Sequence, residues 1–332
     1  MRFGLGQSAP REEDKRFLRG QGRYTDDINL PGQASSYILR SPHAHALIRS
    51  IDTEAACQAP GVLAVYTGDD IAAAGLGDLP CYVAKVAPLK RPDGQPIFVP
   101  PHPALARGKV AFAGDCVAFV VAETQHQARD AAELIEIDYE PRTANVDTRA
   151  APMEGTPVIW EGCPDNICYR TELGDRAATD AAFAGAHHVT RIELSMQRVA
   201  VNAMEPRAAL GEYNASDERY TLYSGNQMPH DMRHWLASSV LKVPESRVRI
   251  VSPDMGGSFG LRATIFPEIP LVLWAAQQLG RPVKWVNERS DGILEEQGRD
   301  FIMSGELALD RDGRFLGLRV DVIGNMGAYL SN

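Results

Sequence analysis

Apolar residues and their spacing divide this chain into two halves of different texture. In the first, ASSYILRSPHAHALIRSID (34–52) and VLAVYT (62–67) predict strands around a short helix, DTEAACQA (52–59), which stops at Pro60 and Gly61. The run DCVAFVVAET (115–124) is apolar without interruption, the composition of a strand buried on both faces. The next segment, TQHQARDAAELI, moves to a helical period. Thr124 can cap it, Gln127 stands three residues on as in a capping box, and Ala128, Ala131, Ala132 and Ile135 share one face. IEIDYEP (135–141) returns as a strand and completes a β-β-α-β unit. The segment APLKRPDGQPIFVPPHPAL (87–105) is too dense in proline for regular structure.

Beyond the linker-like RAAPMEGTP (149–157) the strands lengthen: HHVTRIELSMQRV, RYTLYSG, RVRIVS, PVKWVNE, and FIMSGELALD pairing with RFLGLRVDVIGN. Two helices are predicted among them. One begins at PHDMRHW, with Pro229 suited to its first turn and Met232, Trp235, Leu236, Ser239 and Val240 on one stripe. The other, PEIPLVLWAAQQLG, ends at Gly280 ahead of Pro282. No internal repeat, coiled coil or low-complexity tract is evident, and the mixture reads as α+β. The last residues, NMGAYLSN, stop in what reads as the middle of a strand and of a domain.

Composition narrows the function. With 332 residues, 44% of them hydrophobic, the chain is long enough for two domains with buried cores. A formal charge of −9 without a Lys/Arg cluster argues against nucleic acid as a partner. The opening MRFGLGQSAPREEDKR has no signal-peptide core, and IPLVLWAA is far shorter than the ~20 apolar residues of a membrane helix. A cytoplasmic protein without membrane contact is expected. The five cysteines, at 57, 81, 116, 163 and 168, are odd in number and scattered, so reduced thiols are expected, with neither a disulfide framework nor a metal site.

Candidate chemistry centres on SPDMGGSFGLRAT (252–264), directly after RVRIV. Glycines at 256, 257 and 260 around Phe259 allow positive φ and close approach of a ligand to backbone, and successive N–H groups in such a turn can hold an anion. A dinucleotide fingerprint fails on spacing, because G-x-G-x-x-G would need glycine at Met255. Two other segments carry convergent polar groups. NAMEPRAALGEY sets Glu205, Pro206 and Arg207 between strands, where Glu205 and Arg207 read as a structural pair. YSGNQMPHDMR sets Asn226 and Gln227 at a strand end just before a helix, where an amide can donate to a bound oxygen. His230 and His234 lie one helical turn apart but have no third ligand nearby, so they read as surface or packing residues.

Taken in order, MEPRAA, NQMPHDMR, SPDMGGSFG, GRPVKWVNERS and GRFLGLRVDVIGNMGAYLS resemble the molybdopterin-binding large subunit of the xanthine dehydrogenase and aldehyde oxidase family, in its carbon monoxide dehydrogenase-like bacterial branch. LRGQGRYTDDINLPGQ, LRSPHAHALIRSID, APGVLAVYTGDDI and DAAELIEIDYEP resemble that family's a/b hammerhead domain. The resemblance covers nearly the whole chain. It implies an α+β protein with a hammerhead domain over 1–147, a linker over 148–164 and the first part of a molybdopterin-binding domain over 165–332. It implies a molybdenum–pterin cofactor, either simple or in the cytosine dinucleotide form. Gln227 matches the glutamine that bonds a molybdenum oxo ligand, and Gly256, Gly257, Phe259 and Gly260 match the cofactor loop.

The resemblance also implies an activity: oxidation of an aldehyde or N-heterocycle with water as oxygen source, the electrons leaving through 2Fe–2S and FAD partner subunits. Departures qualify it. Ala263 stands where purine-oxidising members carry glutamate, and Leu261 and Arg262 replace the usual glycine and lysine. The base glutamate and further pterin contacts of the family fall beyond residue 332, so no catalytic residue is assigned within this chain. A fragment or truncated reading frame is the expected explanation, ahead of a natural split in which a second polypeptide completes the molybdenum domain. Alone, the chain is expected to be inactive. The competing reading is a catalytically inactive partial chain that serves as an assembly or binding module.

Overall fold

The computed structural model describes residues 6, 8, 10–86, 89–91 and 93–330. Most of the opening MRFGLGQSA, positions 87, 88 and 92 of the proline-dense loop, and the final Ser331 and Asn332 lie outside the described residues.

In the first half the strands are β1 (Ala34–Arg40), β2 (Ala46–Asp52), β3 (Val62–Thr67), β4 (Lys109–Val110), β5 (Cys116–Ala122) and β6 (Glu136–Pro141). In the second they are β7 (His188–Ala200), β8 (Ala208–Asn214), β9 (Arg219–Tyr223), β10 (Val248–Val251), β11 (Val283–Val286), β12 (Gln297–Leu309) and β13 (Phe315–Gly324). They form a seven-stranded sheet of order β10-β9-β8-β11-β1-β5-β3 and two three-stranded sheets, β13-β12-β7 and β4-β2-β6.

The large sheet draws strands from both halves. β1 runs parallel to β11, with Ser35 opposite Lys284, and antiparallel to β5 on its other side. The apolar run of β5 is buried at every position and still keeps the two-residue period of a strand. Phe119 and Val121 enter the main core with Leu222, Trp235, Leu271 and Trp285, whereas Ala118, Val120 and Ala122 meet Ala128, Ala131 and Ala132 of the helix Gln125–Ala132. Small alanines let that helix lie close to the sheet. Thr124 Oγ1 accepts from the N–H of Gln127, as capping predicts, but the Gln127 side chain takes the Thr124 hydroxyl rather than its backbone N–H.

The helix Glu268–Leu279 carries nine buried residues and ends on Gly280 in the left-handed region. Each of its fully buried leucines, Leu271 and Leu273, contributes about 2 kcal/mol by removal from water. The helix from Pro229 to Trp235 continues as a wider π turn through Leu241, so the stripe Met232, Trp235, Leu236 and Val240 faces the core.

Two helices, Arg176–Ala184 and Arg289–Glu295, add to the predicted pair. The first has no fully buried residue, and its half-buried face, Thr179, Ala182 and Phe183, is too short to read as a stripe. β13 closes at Gly324, and residues 325–330 are not strand, contrary to the expectation of an ending within a strand. Asn325 turns the chain away by donating to Asp300 Oδ2 at 2.7 Å and Thr148 Oγ1 at 3.2 Å. No described helix is long and apolar enough to cross a membrane.

Candidate cofactor site

Strand direction assembles the site. β9 and β10 are parallel, with Tyr223 opposite Val251, so their carboxyl ends emerge side by side, the edge of a sheet where ligands commonly bind. β8 is antiparallel to β9, which brings the segment entering β8 to the same edge. Three stretches meet there: 203–207, 224–228 and 252–264. The Ser224 hydroxyl donates to the Ala208 carbonyl at 3.0 Å, the Ser224 N–H to the Val251 carbonyl at 3.1 Å, and the Asn226 N–H to Ser252 Oγ at 3.1 Å. An amino-terminal strap crosses the edge. Thr25 Oγ1 accepts from the Gly225 N–H at 3.1 Å, and Asp254 takes the Arg23 N–H and the Arg16 guanidinium, which holds its carboxyl down at about 2.

The glycine turn is shaped by its surroundings. Gly256 backs onto the 203–207 segment so closely that a Cβ would lie 2.5 Å from Glu205 Cβ. The Glu205 N–H donates to the Gly256 carbonyl at 3.1 Å, and the Gly256 N–H donates to Glu205 Oε2 at 2.7 Å. Gly256, expected as a ligand donor, therefore has its N–H committed to protein and serves close packing. Gly257 and Gly260 have φ of +117° and +96°, where a side chain would be strained. Phe259 itself sits at φ +54°, uncommon for a bulky residue, and 81% of it is exposed. The N–H groups of Gly257, Ser258, Phe259 and Gly260 donate to no described residue.

Gln227 reaches this turn. Its side-chain Oε1 accepts from the Ser258 hydroxyl at 2.5 Å, its backbone N–H donates to the Arg262 carbonyl at 3.0 Å, and its Nε2 donates to no described residue. Asn226 turns inward instead, donating to Met232 Sδ and accepting from the Met228 N–H at 2.7 Å. All five predicted residues thus stand within one turn and the strand end beside it.

Sequence reasoning missed Arg262, whose place in the loop it noted only as a departure, and misassigned the partner of Glu205. Arg262 is buried, ion-pairs with Glu205 Oε2 at 3.0 Å and donates to the Glu205 carbonyl at 2.7 Å. Burial lowers its pKa and Glu205 opposes that. Arg207 points into the core, to Glu268 at 3.3 Å, Glu296 at 2.9 Å and Glu295, with Phe266 under its guanidinium. Adjacent positions on a strand face opposite ways, and two residues apart across Pro206 the chain turns, so local spacing could not pair them. Glu205 Oε1 and Arg262 Nε are buried without hydrogen-bond partners, and Glu205 lines a cleft of about 320 Å³ with Tyr24, Asp27, Met204 and Gly256.

The remaining candidates fall elsewhere. His234 bonds Glu245 at 2.7 Å on the surface, and His230 is exposed. The five cysteines are free, and no group of three His, Cys, Asp or Glu among the described residues could hold a metal. The available donors suit an anionic, flat ligand: free backbone N–H groups, one free amide and an exposed ring, with no side chain to ligate a metal directly.

Comparison with known proteins gives these features a setting. Residues 159–332 match the molybdopterin cofactor-binding domain model, and residues 19–143 match the aldehyde oxidase and xanthine dehydrogenase a/b hammerhead domain. The chain is thus α+β, a hammerhead domain followed by the first part of a molybdopterin-binding domain. The carbon monoxide dehydrogenase large chain of Afipia carboxidovorans is 34% identical over 98% of this chain and 40% of its own length. The nicotinate dehydrogenase large molybdopterin subunit of Eubacterium barkeri is 27% identical over 98% of this chain and 72% of its own. The quinoline 2-oxidoreductase structure from Pseudomonas putida 86 superposes with a TM-score of 0.86 at 35% identity, over 96% of this chain and 39% of that one. The chain spans about 40% of the length of the first of these relatives.

Proposed function

We propose that this chain, which belongs to the xanthine dehydrogenase and aldehyde oxidase family of molybdopterin-binding large subunits, builds one wall of a molybdenum–pterin site in a hydroxylase of aldehydes or N-heterocycles. The observation that carries this reading is Phe259, held at positive φ with its ring exposed in the turn whose Ser258 hydroxyl holds Gln227 Oε1. A core aromatic would be packed, and a bare turn would have no need of a strained phenylalanine.

When bound, the cofactor would accept the two electrons released as an oxygen from water is added to an electron-poor carbon. The residues of this chain bind and orient. Gln227 Nε2 would donate to an oxygen of the metal group, the N–H groups of Gly257 and Gly260 would face the anionic pterin, and Phe259 would cover its face and exclude water. Gly256 lets the turn seat against Glu205. The base belongs to sequence outside these residues, as do the 2Fe–2S and FAD groups in partner subunits. Under this reading the hammerhead spans 1–147 and the molybdenum domain begins near 165.

The test is purification with the products of neighbouring genes, followed by assay of molybdenum and pterin per large chain. A complete complex without either overturns the proposal. Phe259→Ala and Gln227→Ala are expected to lower loading or turnover without unfolding the complex.

A second reading, an inactive assembly module, draws on the β13-β12-β7 sheet. Ile192, Leu194, Leu318, Val320 and Val322 lie on one face of it and are about half exposed or more. That face requires a covering partner under either reading. The chain expressed alone distinguishes them: cofactor binding by it would favour the enzyme reading.

A further inference from the structure

The glycine turn contains one polar side chain, Ser258, which the family resemblance leaves without a role. It is 93% buried, since only 7% of it is exposed, and its hydroxyl is used twice. Ser258 Oγ accepts from the Arg262 N–H at 3.1 Å and donates to Gln227 Oε1 at 2.5 Å. A backbone N–H can only donate, so Arg262 occupies one of the two lone pairs of the hydroxyl, while its single hydrogen goes to Gln227 Oε1. A carboxamide has one oxygen and one nitrogen. With Oε1 tied to Ser258, Nε2 is the end presented outward.

Arg262 keeps this arrangement rigid. Its carbonyl takes the Gln227 N–H at 3.0 Å, and its guanidinium ties to the Glu205 carbonyl and carboxylate. Gly225, one residue before Asn226, leaves the space this requires, because a Cβ there would lie 2.4 Å from Arg262 Nη1. The main chain at Gln227, the hydroxyl at Ser258 and the arginine therefore form one closed unit, and only the free amide nitrogen projects from it.

We propose that Ser258 is a positioning residue: by fixing which end of the Gln227 amide projects from the turn, it makes Gln227 a hydrogen-bond donor to the oxygen of a bound cofactor. Without the hydroxyl the amide can turn over and present an acceptor, which an anionic oxygen repels. The inference rests on the proposed cofactor site and adds to it the residue that fixes the polarity of one contact.

The experiment uses the complete complex and four forms of the large chain: wild type, Ser258→Ala, Gln227→Ala and the double variant. Molybdenum and pterin content, the midpoint potential of the molybdenum couple, and kcat with KM are read for each. Outer groups that orient a contact are worth on the order of tenfold. Ser258→Ala is expected to keep metal and pterin content within about twofold, to lower kcat about tenfold with KM unchanged, and to lower the midpoint potential, because a lost N–H donor favours the oxidised state. In the Gln227→Ala background the serine change is expected to add nothing further, the signature of a residue acting through another. Ser258→Thr, which retains the hydroxyl, is expected to restore the potential and kcat.

Equal costs of Ser258→Ala in the presence and absence of Gln227, or an unmoved potential at full metal content, would overturn the assignment. A wild-type complex lacking molybdenum and pterin would overturn the proposed function itself, and is seen before any variant is made.

Discussion

Two buried arginines, Arg207 and Arg262, are equally hidden from water and do opposite work. Arg207 is surrounded by Glu268, Glu295 and Glu296, and Glu295 is shared with Arg40 at 3.1 Å, which also lies 3.5 Å from Asp291. Carboxylates outnumber cations there. Burial pushes the Glu268 carboxyl up to about 7, against the pull of Arg207. Arg262 has one carboxylate, and its other bonds go to the carbonyls of Glu205 and Pro206, where the chain turns. A cation among surplus carboxylates locks a core; a cation bonded to carbonyls at turning points sets the course of loops. The site lies where the second kind is found.

The largest expected effect breaks the first region. Arg207→Ala leaves buried Glu268 and Glu296 without their cation and Glu295 with Arg40 alone, and is expected to cost about 3–5 kcal/mol of stability by chemical unfolding, the usual penalty for breaking a buried ionic group. Arg262→Met removes one ion pair and two carbonyl bonds and is expected to cost less, about 1–3 kcal/mol, while cofactor loading falls. A larger stability loss for Arg262→Met than for Arg207→Ala would reverse the distinction.

The charge balance has a pH consequence. A carboxyl whose folded pKa is raised favours the folded state at low pH, and that contribution is lost as pH rises through the folded value. From the raised Glu268, wild type is expected to lose stability between pH 4.5 and about 7 relative to Glu268→Gln, with the two curves parallel outside that window. Curves that stay parallel throughout would mean that Glu268 titrates in the fold as it does in the unfolded chain. The smallest effect belongs to the turn: Phe259→Ala is expected to change stability by less than about 0.5 kcal/mol, as an exposed side chain should, while metal and pterin content fall. A loss of several kcal/mol would mean that the ring packs against protein.

Much of the secondary structure was legible because each element answers to a local rule. The strand VLAVYT runs over its predicted residues, Val62–Thr67, and Pro229 and Gly280 mark a helix start and end where proline and glycine chemistry puts them. The helix Arg289–Glu295 escaped detection because it is short and held by tertiary bonds, with Arg289 donating to Asn202 Oδ1 at 2.6 Å and the Met204 carbonyl at 2.8 Å. The turn at Gly256–Gly260 was legible too, since glycine and an isolated aromatic leave few other uses. Its partner residues were not: Ser258 looks like any turn serine, and Arg262 gains meaning only from Glu205, 57 positions earlier.

Local backbone freedom and side-chain period, carried within a few residues, were enough to specify the strands, the helix caps and a glycine turn able to bear a strained phenylalanine. Which strands lie side by side, which acid each arginine meets, and which end of Gln227 faces outward depend on contacts between segments far apart in the chain. β1 lies against β11 across some 250 residues, and Gln227 meets Ser258 across 31. Those choices are made by burial of the shared core and by hydrogen-bond satisfaction within it, quantities that do not exist until the chain has folded.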